Sequence, residues 1–369
     1  MGIVTWFLGC LYTWTTLNDG RLSCHISQTA KIESMMDEFG MADCNPAPSP
    51  YRSGMAIDRI EPDGIDPSKK IPLVKQYQRM VGGFNWLALC TRPEITTVTR
   101  LLARKMRNPS AQHIESAKRV LQWLGGTRNH GIRFTQGEAF AKGIVAWVDR
   151  PSDVTSTTCY TDANWGPQDA STSTPGQTIT MDECRSLLGH VVIRMGGPLM
   201  WDCLREPKSS RSVCQAEILS MDEGCKSLLM VRHVLEDLQQ VDIKSPLPLF
   251  NDNRGAVDWS SGCSISKKLR HFNIRDVAVR DDLVSGDITI SHLPGKCNIS
   301  DIFTKEIWND TLFQHWAFQL ISPRDLNTGD QGGCQNSNPS TKSVPTSYGL
   351  VNLVRDHKSI SPEISMIGD

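Results

Sequence analysis

The sequence predicts a two-part α/β protein, and three observations predict it. Helical periodicity dominates residues 75–125, short β-like runs take over from Gly143, and several acids further on stand where a strand ends or a helix begins. At 369 residues the chain has room for two cores. Its composition, 39% apolar and 21% charged, is that of an ordinary globular protein. No apolar run reaches the roughly 18–20 residues of a membrane span, so no membrane partner is expected.

Met1 to Leu11 is apolar and aromatic, without a basic leader or a small-residue cleavage site, and reads as a buried strand rather than a signal peptide. Asn18-Asp19-Gly20 supplies turn chemistry between apolar runs, which gives a strand pair within residues 1–41 and then a helix from about Ser27 to Met41. Pro46, Pro48, Pro50, Pro62, Pro67 and Pro72 mark residues 42–74 as a long loop or linker. Helices are expected over Gln76–Leu89, Thr96–Arg107 and Ala111–Leu124. Asn108-Pro109-Ser110 stops the second and caps the third, which Gly125-Gly126 closes.

A net charge of -1 argues against blanket polyanion binding, but an average hides local patches. Arg100, Arg104, Lys105, Arg107, Lys118, Arg119, Arg128 and Arg133 stand in one stretch against the single acid Glu115. This basic stripe, with Trp86 and Trp123 expected beneath it, either tracks a nucleic-acid backbone or is a solvated helical face.

The Ser- and Thr-rich stretch Pro151 to Thr158 marks a boundary, so the first part covers 1–150 and the second 151–322. Residues 323–369 hold few large apolar groups and are expected to form a disordered tail. The 12 cysteines show neither Cys-x-x-Cys nor zinc-finger spacing, a pattern that fits reduced thiols in an intracellular protein. No internal repeat of fixed period occurs.

Four acids of the second part carry the chemistry. Thr158-Cys159-Tyr160-Thr161 reads as a strand with Asp162 at its end, and Glu217 opens an amphipathic helix that runs to about Leu238. Asp252 ends the strand Leu247-Pro248-Leu249-Phe250, beyond which Asn253-Arg254-Gly255 starts a helix, and Asp301 lies on a short helix after the strand Ile288–Ser291. Strand-end acids gather at one sheet edge. Phosphodiester hydrolysis uses such a group to hold two divalent ions about 4 Å apart through hard oxygen ligands. Without metal the same carboxylates repel and raise one another's pKa. Each also has a plainer reading: Asp252 can cap the next helix, and Glu217 can answer a helix dipole. Asp182, Glu183, Asp222, Glu223, Asp281 and Asp282 read as solvated-face acids, and His292 as a structural histidine within a strand.

The motifs in this order resemble a known family. Tyr160-Thr161-Asp162-Ala163-Asn164-Trp165 is similar to the first ribonuclease H motif of copia-type retrotransposon Pol polyproteins, typically Tyr-Ser-Asp-Ala-Asp-Trp. Arg185-Ser186-Leu187-Leu188-Gly189 resembles their Arg-Ser-Thr-Ser-Gly block, Gln215-Ala216-Glu217 their Glu-Ala-Glu-Tyr block, and Phe250-Asn251-Asp252-Asn253 their Cys-Asp-Asn block. Ser300-Asp301-Ile302-Phe303-Thr304-Lys305 matches Ala-Asp-Ile-Phe-Thr-Lys almost letter for letter. Further forward, Phe7-Leu8-Gly9, Phe39-Gly40-Met41, Val81-Gly82-Gly83, Thr91-Arg92-Pro93-Glu94-Ile95 and Ala117-Lys118-Arg119-Val120-Leu121 resemble the part of a copia-type reverse transcriptase that follows its polymerase site. The family's Tyr-Val-Asp-Asp string does not occur in this chain. The stretch between Asp162 and Arg185 is longer than the family pattern, and its Pro/Ser/Thr/Gly-rich insert is expected to loop out.

The resemblance implies a ribonuclease H-like domain, a five-stranded mixed sheet flanked by helices, preceded by an α+β reverse transcriptase remnant with thumb- and connection-like helices. It implies divalent-metal-dependent endonucleolytic cleavage of RNA in RNA–DNA hybrids during retrotransposon replication. Asp162, Glu217, Asp252 and Asp301 would hold two Mg2+ or Mn2+ ions: Asp162 and Asp252 holding or bridging the metals, Glu217 on the side of the attacking water, Asp301 completing the second ion's shell. A hybrid is read by backbone shape and 2′-hydroxyls, which calls for cations. Lys267, Lys268 and Arg270 are the first candidates, followed by Arg100, Arg104, Lys105, Lys118 and Arg119. The partners implied are the hybrid and the upstream reverse transcriptase part, in a cytoplasmic particle or the nucleus. Two alternatives stand beside this reading: an inactive fragment that only binds nucleic acid, and part of an RNA-directed DNA polymerase whose catalytic half is missing, with no polymerase activity expected from this chain.

Overall fold

Apolar side chains alternate along the strands of the second part, sending one set to each face of a sheet, and both sets are buried. The computed structural model describes residues 3–57, 67–137, 157–165, 185–238, 246–262 and 274–324. The first part opens with strands β1 (Trp6–Phe7), β2 (Cys10–Thr16) and β3 (Leu22–Ser27), then helix α1 (Thr29–Glu38). Helices α2 (Pro67–Cys90), α3 (Thr96–Arg104) and α4 (Ala111–Gly126) follow, and strand β4 (His130–Thr135) pairs with β3. Ser110 caps α4 by accepting from the backbone of His113, as the Asn-Pro-Ser stop predicts.

In the second part, strands β5 (Thr158–Asn164), β6 (Leu187–Arg194) and β7 (Gly197–Arg205) form an antiparallel meander. Helix α5 (Val213–Asp237) crosses to strand β8 (Leu247–Asn251), which lies parallel to β5. Helices α6 (Arg254–Ser261) and α7 (Ile274–Val284) then lead to strand β9 (Ile288–His292), parallel to β8. The sheet order is β7-β6-β5-β8-β9, five strands of mixed direction, which is the α/β, ribonuclease H-like sheet the motifs imply. A 3-10 turn, Ile299–Phe303, carries Asp301. Helix α8 (Asp310–Leu320) and strand β10 (Ser322–Pro323) come last. Strand β10 pairs with β4 and completes the antiparallel sheet β1-β2-β3-β4-β10.

The two faces of the second sheet are covered by different layers. Cys159, Val192 and Leu249 point to one face, where they meet Ile218, Met221, Cys225 and Leu228 of α5 with Trp259 and Val279. Tyr160, Val191 and Phe250 point to the other and share one continuous cluster with Phe84, Val98, Leu101 and Trp123 of α2, α3 and α4 and Phe313 and Trp316 of α8. Trp201 Nε1 donates to the carbonyl of Ala88 at 2.9 Å, and Thr97 Oγ1 to that of Ile302 at 2.8 Å, stitching helices of the first part to the second.

Several local expectations are corrected. The opening apolar run is not buried: Ile3, Trp6, Phe7 and Leu8 are exposed, because β1 is the edge strand of its sheet and apolarity alone does not place a strand inside. The 42–74 linker ends early. Helix α2 begins at Pro67, where a missing N–H costs nothing, and continues through Pro72. Trp123 is buried as expected, but Trp86 is exposed on α2. Helix α5 starts at Val213 with Ser212 as its cap, so Glu217 stands one turn inside rather than at the opening, and the dipole reading no longer applies. Asn253, not Asp252, caps α6. The insert before Arg185, the segment with Lys267, Lys268 and Arg270, and the tail beyond Arg324 lie outside the described residues.

Candidate metal centre

Asp162 and Asp252 arrive at the site from neighbouring parallel strands, since β5 pairs with β8 in the register Thr161↔Asn251. Helix α5 brings Glu217 over the same two strands, and Gly224 lets it approach: a Cβ there would stand 2.5 Å from Thr161 Cγ2. One carboxylate oxygen from each of Asp162, Glu217 and Asp252 lies within 4.8 Å of the others. Asp162 and Glu217 are buried and Asp252 is half-buried. They line a cleft of about 320 Å³ with Ala163, Asn164, Trp165, Asn253 and Lys305.

Asp301 stands beside this trio rather than within it. Its Oδ1 is 2.6 Å from the ammonium of Lys305, which also lies 3.5 Å from Asp162 Oδ1. Thr304 donates its hydroxyl to the other oxygen of Asp162. Gly189, opposite Asp162 on β6, makes room for this turn: a Cβ there would meet Thr304 Cγ2 at 2.6 Å and Phe303 Cβ at 2.8 Å. The glycine of the Arg-Ser-x-x-Gly block thus serves the approach of the last motif to the first.

Two residues that the motifs did not single out hold the site. Asn251, wholly buried, donates Nδ2 to Glu217 Oε2 at 2.9 Å and to Thr161 Oγ1 at 3.1 Å, while its Oδ1 accepts from the backbone of Asn253 at 2.8 Å. Lys305 was legible only as the last letter of a motif. His292 lies in strand β9 as expected, with Nε2 donating to the carbonyl of Asp252 at 3.1 Å.

The electrostatics are those of crowded carboxylates. Burial, and then the charge of Asp162, hold the Glu217 carboxyl well above the usual range, against the opposing bond from Asn251. Burial and Asp162 raise Asp252 in the same way. Asp301 is pushed up to about 7, by burial first and Asp162 next, with Lys305 pulling the other way. Hard oxygen donors from three acids on rigid elements, each costly to keep ionised side by side, fit a small divalent cation.

Three of the basic residues of the first part have protein partners. Arg100 on α3 lies 3.0 Å from Asp202 Oδ1 on β7, Lys118 lies 2.8 Å from Glu115, and Arg119 donates to the carbonyl of Tyr51 at 2.5 Å. Arg104 ends α3 and Lys105 is its C-cap residue, both half-buried.

No protein-family model matches the chain. A retrovirus-related Pol polyprotein from transposon RE1 of Arabidopsis thaliana is 26% identical over 302 residues, which is 80% of this chain and 18% of that protein. One from transposon TNT 1-94 of Nicotiana tabacum is 21% identical over 283 residues, 76% of this chain and 19% of its own length. Among solved structures, ribonuclease H1 from Halobacterium salinarum NRC-1 aligns with 42% of this chain and 98% of its own at 17% identity, with a TM-score of 0.27. Over about four fifths of its length the chain is therefore similar to the retrovirus-related Pol polyproteins of copia-type transposons, and it spans 18–19% of the length of the two described above.

Proposed function

We propose that this chain is a ribonuclease H-type endonuclease that hydrolyses the RNA strand of RNA–DNA hybrids with the help of Mg2+ or Mn2+, in the replication of a retrotransposon. The observation that carries the reading is the gathering of one oxygen each from Asp162, Glu217 and Asp252 within 4.8 Å, over the central strands β5 and β8 of a mixed sheet. A divalent ion held there supplies a nucleophile at neutral pH and counter-charge for the phosphate.

The chain's own residues do the rest. Asp162, Glu217 and Asp252 would hold the cation, with Asn251 orienting Glu217 and Thr304 orienting Asp162. Asp301 contributes negative charge at the rim of the group, restrained by Lys305. Exposed Trp165 and the cleft beside it offer an open approach for a strand of nucleic acid. Cationic contacts to the hybrid backbone fall to Lys267, Lys268 and Arg270, with α3 and α4 as a second surface, and the place of action is a cytoplasmic particle or the nucleus.

The test is incubation of the purified chain with a labelled hybrid, with and without Mg2+, beside Asp162→Asn and Asp252→Asn. Cleavage of the RNA strand that requires the ion and vanishes in both variants is the expected result. Undiminished cleavage in either variant removes the assignment. Tight hybrid binding without cleavage, indifferent to Mg2+, replaces it with a nucleic-acid-binding role.

A further inference from the structure

The acidic group already contains a cation. Lys305 Nζ sits 2.6 Å from Asp301 Oδ1 and 3.5 Å from Asp162 Oδ1, a bridge between the two acids on one side of the site. Its position is fixed by the backbone as well. The N–H of Lys305 donates to the carbonyl of Asp301 at 3.0 Å, closing one turn that sets both side chains on the same side. The Lys305 side chain is about one third exposed (32%) and lines the same cleft as Asp162, Glu217 and Asp252.

This arrangement divides the acids into two kinds. Asp162, Glu217 and Asp252 bring one oxygen each within 4.8 Å of one another, whereas Asp301 stands outside that group with its closest charge contact to the Lys305 ammonium, which links it to Asp162. A second divalent ion between Asp162 and Asp301 would have to displace Lys305 or stand against its charge. The balance of charge points the same way: four carboxylates with Lys305 and one divalent ion keep a single negative charge, but two divalent ions beside Lys305 make the group net positive. At separations of a few ångströms in a half-buried site, that repulsion outweighs a weak surface ion pair.

We propose that Lys305 is a resident cation on the Asp162–Asp301 side of the centre, so that the protein free of nucleic acid takes one divalent ion, at Asp162, Glu217 and Asp252, instead of two. The inference rests on the reading of this group as a metal centre. It departs from the two-ion expectation that the family resemblance carries, and it gives Lys305 a positioning role. The lysine keeps Asp301 compensated and leaves the trio as the sole high-affinity site.

Calorimetric titration of the full chain with Mn2+ tests it, because stoichiometry is read without any turnover. Wild type is expected to bind one ion per chain. Lys305→Met is expected to bind two, with the second ion held at least roughly tenfold more tightly than any second ion of the wild type. Lys305→Arg, which keeps the charge, stays at one, and the double variant Lys305→Met, Asp301→Asn returns to one. If Lys305→Met does not fold, Lys305→Gln takes its place with the same two outcomes. Two ions in the wild type, or one ion with unchanged affinity in the neutral variant, overturns the role of Lys305 and leaves the metal centre standing. No ion bound by wild type or variant removes both.

Discussion

Asn251 Nδ2 donates to Glu217 Oε2 at 2.9 Å, and the same amide reaches Thr161 Oγ1 at 3.1 Å, so one buried side chain at the end of β8 joins helix α5 to strand β5. Asn251→Leu keeps the branched shape of the side chain and removes these bonds. Supporting groups of this kind are typically worth about 10–100-fold in metal affinity or activity. Calorimetry with Mn2+ should show a loss of that order, with the circular dichroism spectrum retained. Wild-type affinity in this variant would show that Glu217 needs no such tether.

The pH dependence of stability should carry the signature of Asp301. Its carboxyl lies at about 7 in the fold against an ordinary 3.8, because burial and Asp162 disfavour the charge. A carboxyl raised on folding takes up a proton as the chain folds. Its contribution is therefore full below about 3.8 and is lost as pH rises through about 7. His130, lowered to about 4 by burial and by Arg92, acts with the opposite sign in the same window. The comparison that isolates Asp301 is between wild type and Asp301→Asn, both free of metal. From pH 4 to pH 8 the wild type should lose stability relative to the variant, on the order of 1–3 kcal/mol in urea denaturation. Parallel curves would contradict the raised value.

Arg92 and Glu94 are both wholly buried and form an ion pair at 2.7 Å. Glu94 also accepts from Trp123 Nε1 at 3.1 Å, and Arg92 donates to Thr127 Oγ1 at 2.5 Å. Glu94→Ala leaves a buried guanidinium without its counter-charge and should cost about 3–5 kcal/mol. Pairing it with Arg92→Met should recover much of that. A loss below about 1 kcal/mol in chemical denaturation would mean that water reaches Arg92.

What could be read in advance follows from how far each signal reaches along the chain. Asp252 follows the last residue of β8, as the pattern of a strand with a defined end predicts, whereas β5 runs two residues past Asp162 to Asn164, because pairing with β6 continues through Ala163 and Asn164. Glu217 was placed on the right helix, but the helix start was missed. Ser212 as a cap is a local bond that one of several nearby serines could have made. The division between Asp301 and the other three acids depends on the path of a 3-10 turn and on Lys305 four residues later, a tertiary geometry that spacing does not encode. Asn251 was hidden for a related reason: an asparagine at a strand end commonly serves a turn, and only the position of α5 makes it a donor to Glu217. The exposed Trp6 and Phe7 show the converse, since an apolar run specifies a preference for burial and not the presence of a neighbour to bury it.

The apolar layer beneath Tyr160, Val191 and Phe250 has no seam where the texture of the sequence changes. Helices from the front of the chain and α8 from its end close over that face together, as two hands over one object. A gene fragment that carried the acids but lost the front helices would expose this layer to water and encode a sticky, self-associating product. Reading frames that preserve chemistry here must therefore preserve the seemingly idle half as well.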